Sequence, residues 1–140
     1  MTVSPLRSRR LQNLNLTTSA AGTYVSDETS VPIGILNFTS QAVFVRGSGG
    51  TTCDVFIQTS LDQGSTWIDI IQFAFVTTTV TGISAVKPNI ALAANYTPTD
   101  GALSDNSITD GLMGDRVRVK TVIAGTYSGT STLDVRVIFN

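Results

Sequence analysis

The sequence contains no histidine, which removes Ser-His-Asp and Cys-His catalysis, imidazole metal sites and the usual proton shuttle near neutral pH. Cysteine is nearly absent as well. Cys53 stands alone among 140 residues, so no intrachain disulfide can form and the chain does not read as an oxidatively stapled secreted module. Its setting in Thr52-Cys53-Asp54-Val55-Phe56-Ile57 is strand-like and suits a small buried hydrophobe better than a reactive thiol. Charged residues make up only 14%, with a net charge of −1 and a pI near 5.1. No overall positive field exists to neutralise phosphates, and no nucleic-acid partner is expected. No apolar stretch reaches the roughly 18 residues of a membrane span, and Arg7, Arg9 and Arg10 are not followed by the apolar h-region of an export signal. We therefore expect a protein made in the cytoplasm, with no membrane partner.

What is abundant is Thr, Ser, Gly and Val, a composition that disfavours long solvated helices and suits strands joined by tight turns. The length is that of one domain, able to bury about two-thirds of the surface its unfolded form exposes. The expected class is all-β.

The most informative run is Ser60-Leu61-Asp62-Gln63-Gly64-Ser65-Thr66-Trp67, set between two β-like segments. It has the pattern Ser-x-Asp-x-Gly-x-Thr-Trp and resembles the Asp-box hairpin. Asp62 can accept backbone N–H groups across the turn, Gly64 can adopt φ > 0, and Trp67 can fold its ring under the loop. In the sialidase-like propellers that the run resembles locally, the box recurs blade by blade and lies away from the catalytic pocket. Here it occurs once, in a chain without repeats, so Ser60, Asp62, Gly64, Thr66 and Trp67 are assigned to a structural turn.

Residues 1 to about 30 differ from the rest. A basic tip, Arg7, Arg9 and Arg10, precedes Leu11, Leu14 and Leu16 among polar residues, too few apolar anchors to hold a free helix in water. We expect an extended N-terminal arm that docks on a neighbouring subunit through these six residues, followed by a domain over 31–140. Strand candidates in that domain are 33–38, 41–46 after a Thr39-Ser40 break, 53–60, a kinked or bulged 67–76, and 77–86. Ala91-Leu92-Ala93-Ala94 has one turn's worth of helical preference. A long loop over 95–114 holds Pro98 and the Asp100-Gly101, Asp105-Asn106 and Asp110-Gly111 pairs. The alternating runs 115–122 and 132–139 predict a C-terminal hairpin with one wet and one buried face. Together these segments predict a single β-sandwich or jelly roll of about seven or eight antiparallel strands.

Few constellations point to chemistry. Asp100, Asp105, Asp110 and Asp115 recur at intervals of five, whereas a calcium loop needs oxygen ligands in close alternation, so they read as turn residues. Folding could face Asp54, Asp69 and a loop aspartate across a cleft, as a glycosidase requires, but no feature promotes that arrangement. Arg116, Arg118 and Lys120 share a strand face, with Arg136 expected opposite them on the paired strand. That face is either solvated or a salt-bridged seam to a neighbouring subunit. No cofactor or metal site is indicated.

The run from Val43 through Phe75 contains Val-Phe-Val-Arg-Gly-Ser-Gly-Gly and Asp-Val-Phe-Ile-Gln-Thr-Ser-Leu-Asp-Gln-Gly-Ser-Thr-Trp-Ile-Asp-Ile. Together with Thr97-Pro98-Thr99-Asp100-Gly101, Gly114 to Lys120 and Gly125-Thr126-Tyr127, it resembles small structural proteins of tailed bacteriophages. The resemblance implies a non-enzymatic virion protein with no catalytic residues to carry over. It points first to a head decoration or cement protein that binds the major capsid protein or other virion subunits. A neck or tail component and a carbohydrate- or receptor-binding module are the alternatives. Symmetric assembly would cover exposed sheet edges, and decoration at threefold positions makes a homotrimer the expected oligomer.

Overall fold

Alternation with period two places every second side chain of a strand on one face, and the C-terminal strand shows the result. Leu133, Val135, Val137 and Phe139 are buried, while Arg136 and Ile138 are exposed. The computed structural model describes residues 8–88, 90–92 and 94–140, and these fold without a helix. The strands are β1 (Ser8–Asn15), β2 (Gly22–Val25), β3 (Thr29–Ser30), β4 (Phe38–Val45), β5 (Ser48–Gly49), β6 (Thr52–Ser60), β7 (Ile68–Phe75), β8 (Val80–Val86), β9 (Arg116–Ala124), β10 (Tyr127–Ser128) and β11 (Thr132–Phe139).

Two antiparallel sheets pack into a β-sandwich. One runs β1-β11-β4-β8 and the other β2-β9-β6-β7, with β3 also on β9 and with β5 and β10 forming a small separate ribbon. Setting aside the three two-residue strands, the pairing is nested. The first long strand pairs with the last, the second with the next to last, β4 with β8, and β6 with β7. The chain is therefore one long antiparallel hairpin rolled over on itself.

The inner faces meet in an aromatic and aliphatic core. Phe44 of the first sheet stacks on Phe75 of the second with ring centroids 5.0 Å apart, and Tyr127 meets Phe44 edge-on at 5.6 Å. Such offset and edge-on geometries suit the ring quadrupoles. The Tyr127 hydroxyl donates to the Val76 carbonyl at 2.6 Å. Backbone passes so close to this ring that a Cβ at Gly50, where φ is +76°, would lie 2.1 Å from it, and only glycine fits. Gln12 of β1 ties the two sheets through polar bonds: buried Thr121 of β9 donates its hydroxyl to Gln12 Oε1, and Gln12 Nε2 donates to the Tyr24 carbonyl of β2 at 3.3 Å.

Several expectations are corrected. The strand expected at 33–38 and the Thr39-Ser40 break are replaced by one strand, β4, that runs through both residues. Ser40 is small enough to point inward between Phe38 and Ala42, so the pleat continues. Leu36 and Asn37 instead donate their amides to the Asn140 carbonyl. No helix forms at Ala91, Leu92 or Ala94, and Ala93 lies outside the described residues. The irregularity expected in 67–76 is present as a bulge. Pairing jumps from Ile57 with Ile71 to Gln58 with Asp69, leaving Ile70 as the extra residue.

The C-terminal hairpin does not form, because β9 and β11 belong to opposite sheets. Both strands bury alternate residues toward the same core, and the segment between them crosses from one sheet to the other. Gly125 and Gly129 take positive φ there, and β10 pairs with β5. Arg136 consequently sits between Arg10 and Gln41, away from Arg116, Arg118 and Lys120.

The N-terminal arm is corrected as well. Arg7 lies outside the described residues, but from Ser8 onward the chain is part of the sandwich. β1 pairs with β11 from Ser8 to Asn15, and β2 and β3 pair with β9, so the boundary expected near residue 30 separates nothing. Leu16 is fully buried, and Leu11 and Leu14 pack against the core. The physical reason is the ladder. Three leucines alone cannot offset the ordering of a long segment, but hydrogen bonds along β11 add to them and cover what would otherwise be an open edge.

Leu16→Ala should therefore destabilise the fold by about 2–5 kcal/mol, and removing residues 1–16 should abolish the cooperative thermal transition measured by circular dichroism. A truncated chain that melts like the full one would show that β1 contributes nothing to the core.

Candidate interaction surface

The turn between β6 and β7 is built from its own side chains. The Ser60 hydroxyl accepts the Gly64 amide at 2.8 Å and donates to Asp62 Oδ1 at 2.8 Å. Asp62 in turn accepts the Thr66 amide at 2.8 Å and the Thr66 hydroxyl at 2.7 Å. Gly64 has φ +94°, and its carbonyl accepts Trp67 Nε1 at 3.1 Å, which tucks the indole against the turn. The Asp62 carboxyl is pushed down to about 2, first by the Thr66 amide and then by the Thr66 and Ser60 hydroxyls, since bonds to the charged form favour it. All five residues singled out in the sequence meet in this one turn.

A second polar assembly extends from it across the outer face of the β9-β6-β7 sheet. The Arg118 guanidinium lies 4.3 Å from the Trp67 ring centroid and donates through Nε to Gln58 Oε1 at 2.8 Å. Buried Gln58 passes the link on, because its Nε2 donates to Asp69 at 2.8 Å and to Asp100 at 2.6 Å. Lys120 pairs with Asp100 at 3.0 Å.

Asp69 is fully buried and accepts the backbone amides of Gly101, Ala102 and Leu103 as well as the Thr99 hydroxyl. This carboxylate fastens residues 99–103 to the sheet. The same loop closes the outer edge of β7. Asp69 donates its amide to Thr99, Gln72 to Ser107, and Thr109 to Ile70, with Ile71 and Ile108 bridged.

Within this assembly Gln58 and Asp69 are buried and satisfied by their neighbours, while the Asp100 carboxylate bonds Gln58 and Lys120 and stays half-exposed. Asp54 lies further along the same face beside Asp105 and Gln72, and burial, then the Asp105 charge, raises its carboxyl. It does not meet Asp69 across a cleft. Burial pushes the Cys53 thiol up to about 12, with Asp54 adding to the effect, which keeps it unreactive. Among the described residues no three His, Cys, Asp or Glu side chains gather as metal ligands. Asp100, Asp105 and Asp110 each hold a different part of the loop, through Lys120, Gln72 and the Lys87 amide.

Beyond the Asp62 turn lies a groove of about 620 Å³ lined mainly by apolar side chains, among them Leu61, Ile68, Leu92, Tyr96, Pro98 and Leu112. The arm residues contribute less to the surface than expected. Arg9 is exposed, but Arg10 forms a two-pronged bond to Asp134 at 3.0 and 3.1 Å, and Leu11, Leu14 and Leu16 face their own core. Sequence reasoning missed Gln58, Asp69 and Asp100 as a connected set. The signal available was a polar residue on the outward face of each strand, Gln58 on β6 and Asp69 on β7, and their link is visible only once the strands are paired.

No protein-family model, curated protein or solved structure matches this chain.

Two outcomes follow from this geometry. Asp69→Asn turns an acceptor into a donor facing backbone amides and forfeits at least one charge-assisted bond, about 1.5–3 kcal/mol. Hydrogen exchange over residues 97–110 should accelerate, and unchanged exchange there would show that the loop is held by other contacts. For Asp62 the folded carboxyl lies below its ordinary 3.8, so its stabilisation is complete above that pH and is lost as the pH falls toward 2. Trp67 fluorescence should report the turn loosening in that window, and Asp62→Ala should remove this acid step.

Proposed function

We propose that this chain is a non-enzymatic structural protein of a tailed-phage virion that decorates the outside of the capsid by binding capsid subunits. The observation that carries the reading is the nested pairing of eight strands into sheets β1-β11-β4-β8 and β2-β9-β6-β7. Such nesting supports a jelly-roll reading of the sandwich, an architecture that recurs in viral capsid and lectin domains. The resemblance of Val43 through Phe75 to phage structural proteins points the same way.

The distribution of polar groups supports a scaffold role. Carboxylates, amides and guanidinium groups are used to lock loops onto sheets, leaving broad faces and an apolar groove for contact. A cement protein needs this rigidity, because strain in the shell is resisted only by a subunit whose own loops do not yield. Its partners would be the major capsid protein or other virion subunits, together with further copies of itself, and its location the assembled virion.

The alternative placement, in the neck or tail, uses the same scaffold in fewer copies. A density map of the virion that carries this chain distinguishes them. Many copies of the sandwich on the outer head surface are expected. Copies confined to the neck or tail would move the protein there, and absence from purified particles would overturn the virion reading.

A further inference from the structure

A β-sandwich of two open sheets has four edges, and each exposes a row of backbone donors and acceptors that invites pairing with another chain. Three edges here are protected. The β7 edge is covered by residues 99–109. The β1 edge carries Arg9 and Arg10 and is interrupted by a register shift between Arg10 and Gln12. The β2 edge is only four residues long.

The β8 edge has none of these devices. Its seven residues, Val80-Thr81-Gly82-Ile83-Ser84-Ala85-Val86, include no charge and no proline. The strand pairs with β4 on one side only, and among the described residues no loop donates to or accepts from its backbone on the other side. Ile83 is 65% exposed, and Val76 and Val80 are 53% and 43% exposed.

We propose that β8 is an assembly strand, pairing antiparallel with β8 of a second copy of this chain about a twofold axis at Ile83. The inference stands apart from the virion reading, since it rests on the edge alone.

The choice of a second copy follows from the strand itself. An antiparallel pair must keep side chains of the same face opposite one another, and a register centred on Ile83 does so. Val80 then meets Val86, Thr81 meets Ala85, Gly82 meets Ser84, and Ile83 meets its own counterpart. Inward residues stay inward and outward residues stay outward. Cross-strand pairs of β-branched residues are favourable, and no like charges are brought together. Lys87, just past the strand, lies opposite Thr79 of the other copy, so the two lysines are at opposite ends.

The joined sheet would hold both copies' β1-β11-β4-β8 in one continuous ladder. A threefold ring, by contrast, needs a heterologous contact between two different edges, and the remaining edges are covered, charged or short. The twofold therefore replaces the threefold expected from decoration symmetry.

The intact protein at tens of micromolar should sediment as a dimer, and Ile83→Lys should shift it to the monomer mass. Circular dichroism and the melting temperature should show that the monomer remains folded. Ile83→Cys should form a disulfide-linked dimer in glutathione buffer within the time that Thr81→Cys, displaced from its own counterpart, remains mostly uncrosslinked. Cys53 is buried and does not compete. A wild-type monomer at these concentrations, an Ile83→Lys variant that keeps its oligomeric mass, or equal crosslinking of the two cysteine variants would each overturn the proposal. The crosslinking comparison decides the matter even if the lysine variant fails to fold.

Discussion

The Asp69 carboxylate is the contact on which the outer half of this molecule depends. It is fully buried, a costly position for a charge unless its oxygens are bonded, and here three loop amides, Thr99 and Gln58 supply those bonds. A long connection with no strand of its own is thereby converted into a cover for the β7 edge. The bulge that leaves Ile70 without a partner on β6 sits next to Asp69, and the Ile70 carbonyl accepts the Thr109 amide of the loop. The Asp62 turn is linked to the same assembly, because Trp67 lies against Arg118, Arg118 bonds Gln58, and Gln58 bonds Asp69.

Beneath this polar layer the core is conventional in its physics. Rings from both sheets interdigitate around Phe44, and glycines appear where backbone must approach a neighbour closely. Gly114 is the extreme case, since a Cβ there would lie 1.7 Å from the Ser60 carbonyl oxygen. That approach lets the end of the long loop dock beside the start of the Asp62 turn, where the Asp115 amide bonds the same carbonyl at 2.9 Å. Loop closure and turn geometry are thus coupled through backbone as well as side chains.

The edges complete the account of how the fold relates to assembly. Closing an edge with a loop, marking it with charge and a bulge, or keeping it short are three solutions to one problem, and this chain uses all three, while among the described residues nothing covers β8. The N-terminal strand shows the same economy, since residues that could have reached a neighbour instead seal β11.

Much of the architecture was legible in the sequence because period-two alternation and turn residues are local properties. The strands at 53–60 and 132–139, the irregular 67–76 run, the all-β class and the parts of the Asp62 turn needed no knowledge of distant contacts. Pairing was not legible. Alternation shows that β9 and β11 each have a buried face, but it does not say whether those faces belong to one sheet or to two that oppose each other. Leu11, Leu14 and Leu16 likewise read as an arm until β11 supplies a ladder, and Asp69 and Gln58 read as isolated polar residues until register places them opposite each other beneath a loop some thirty positions away. Local chemistry determined most of the segments that extend and the make-up of the Asp62 turn; the tertiary structure alone decided which edges they share, because pairing depends on backbone groups that every residue carries alike.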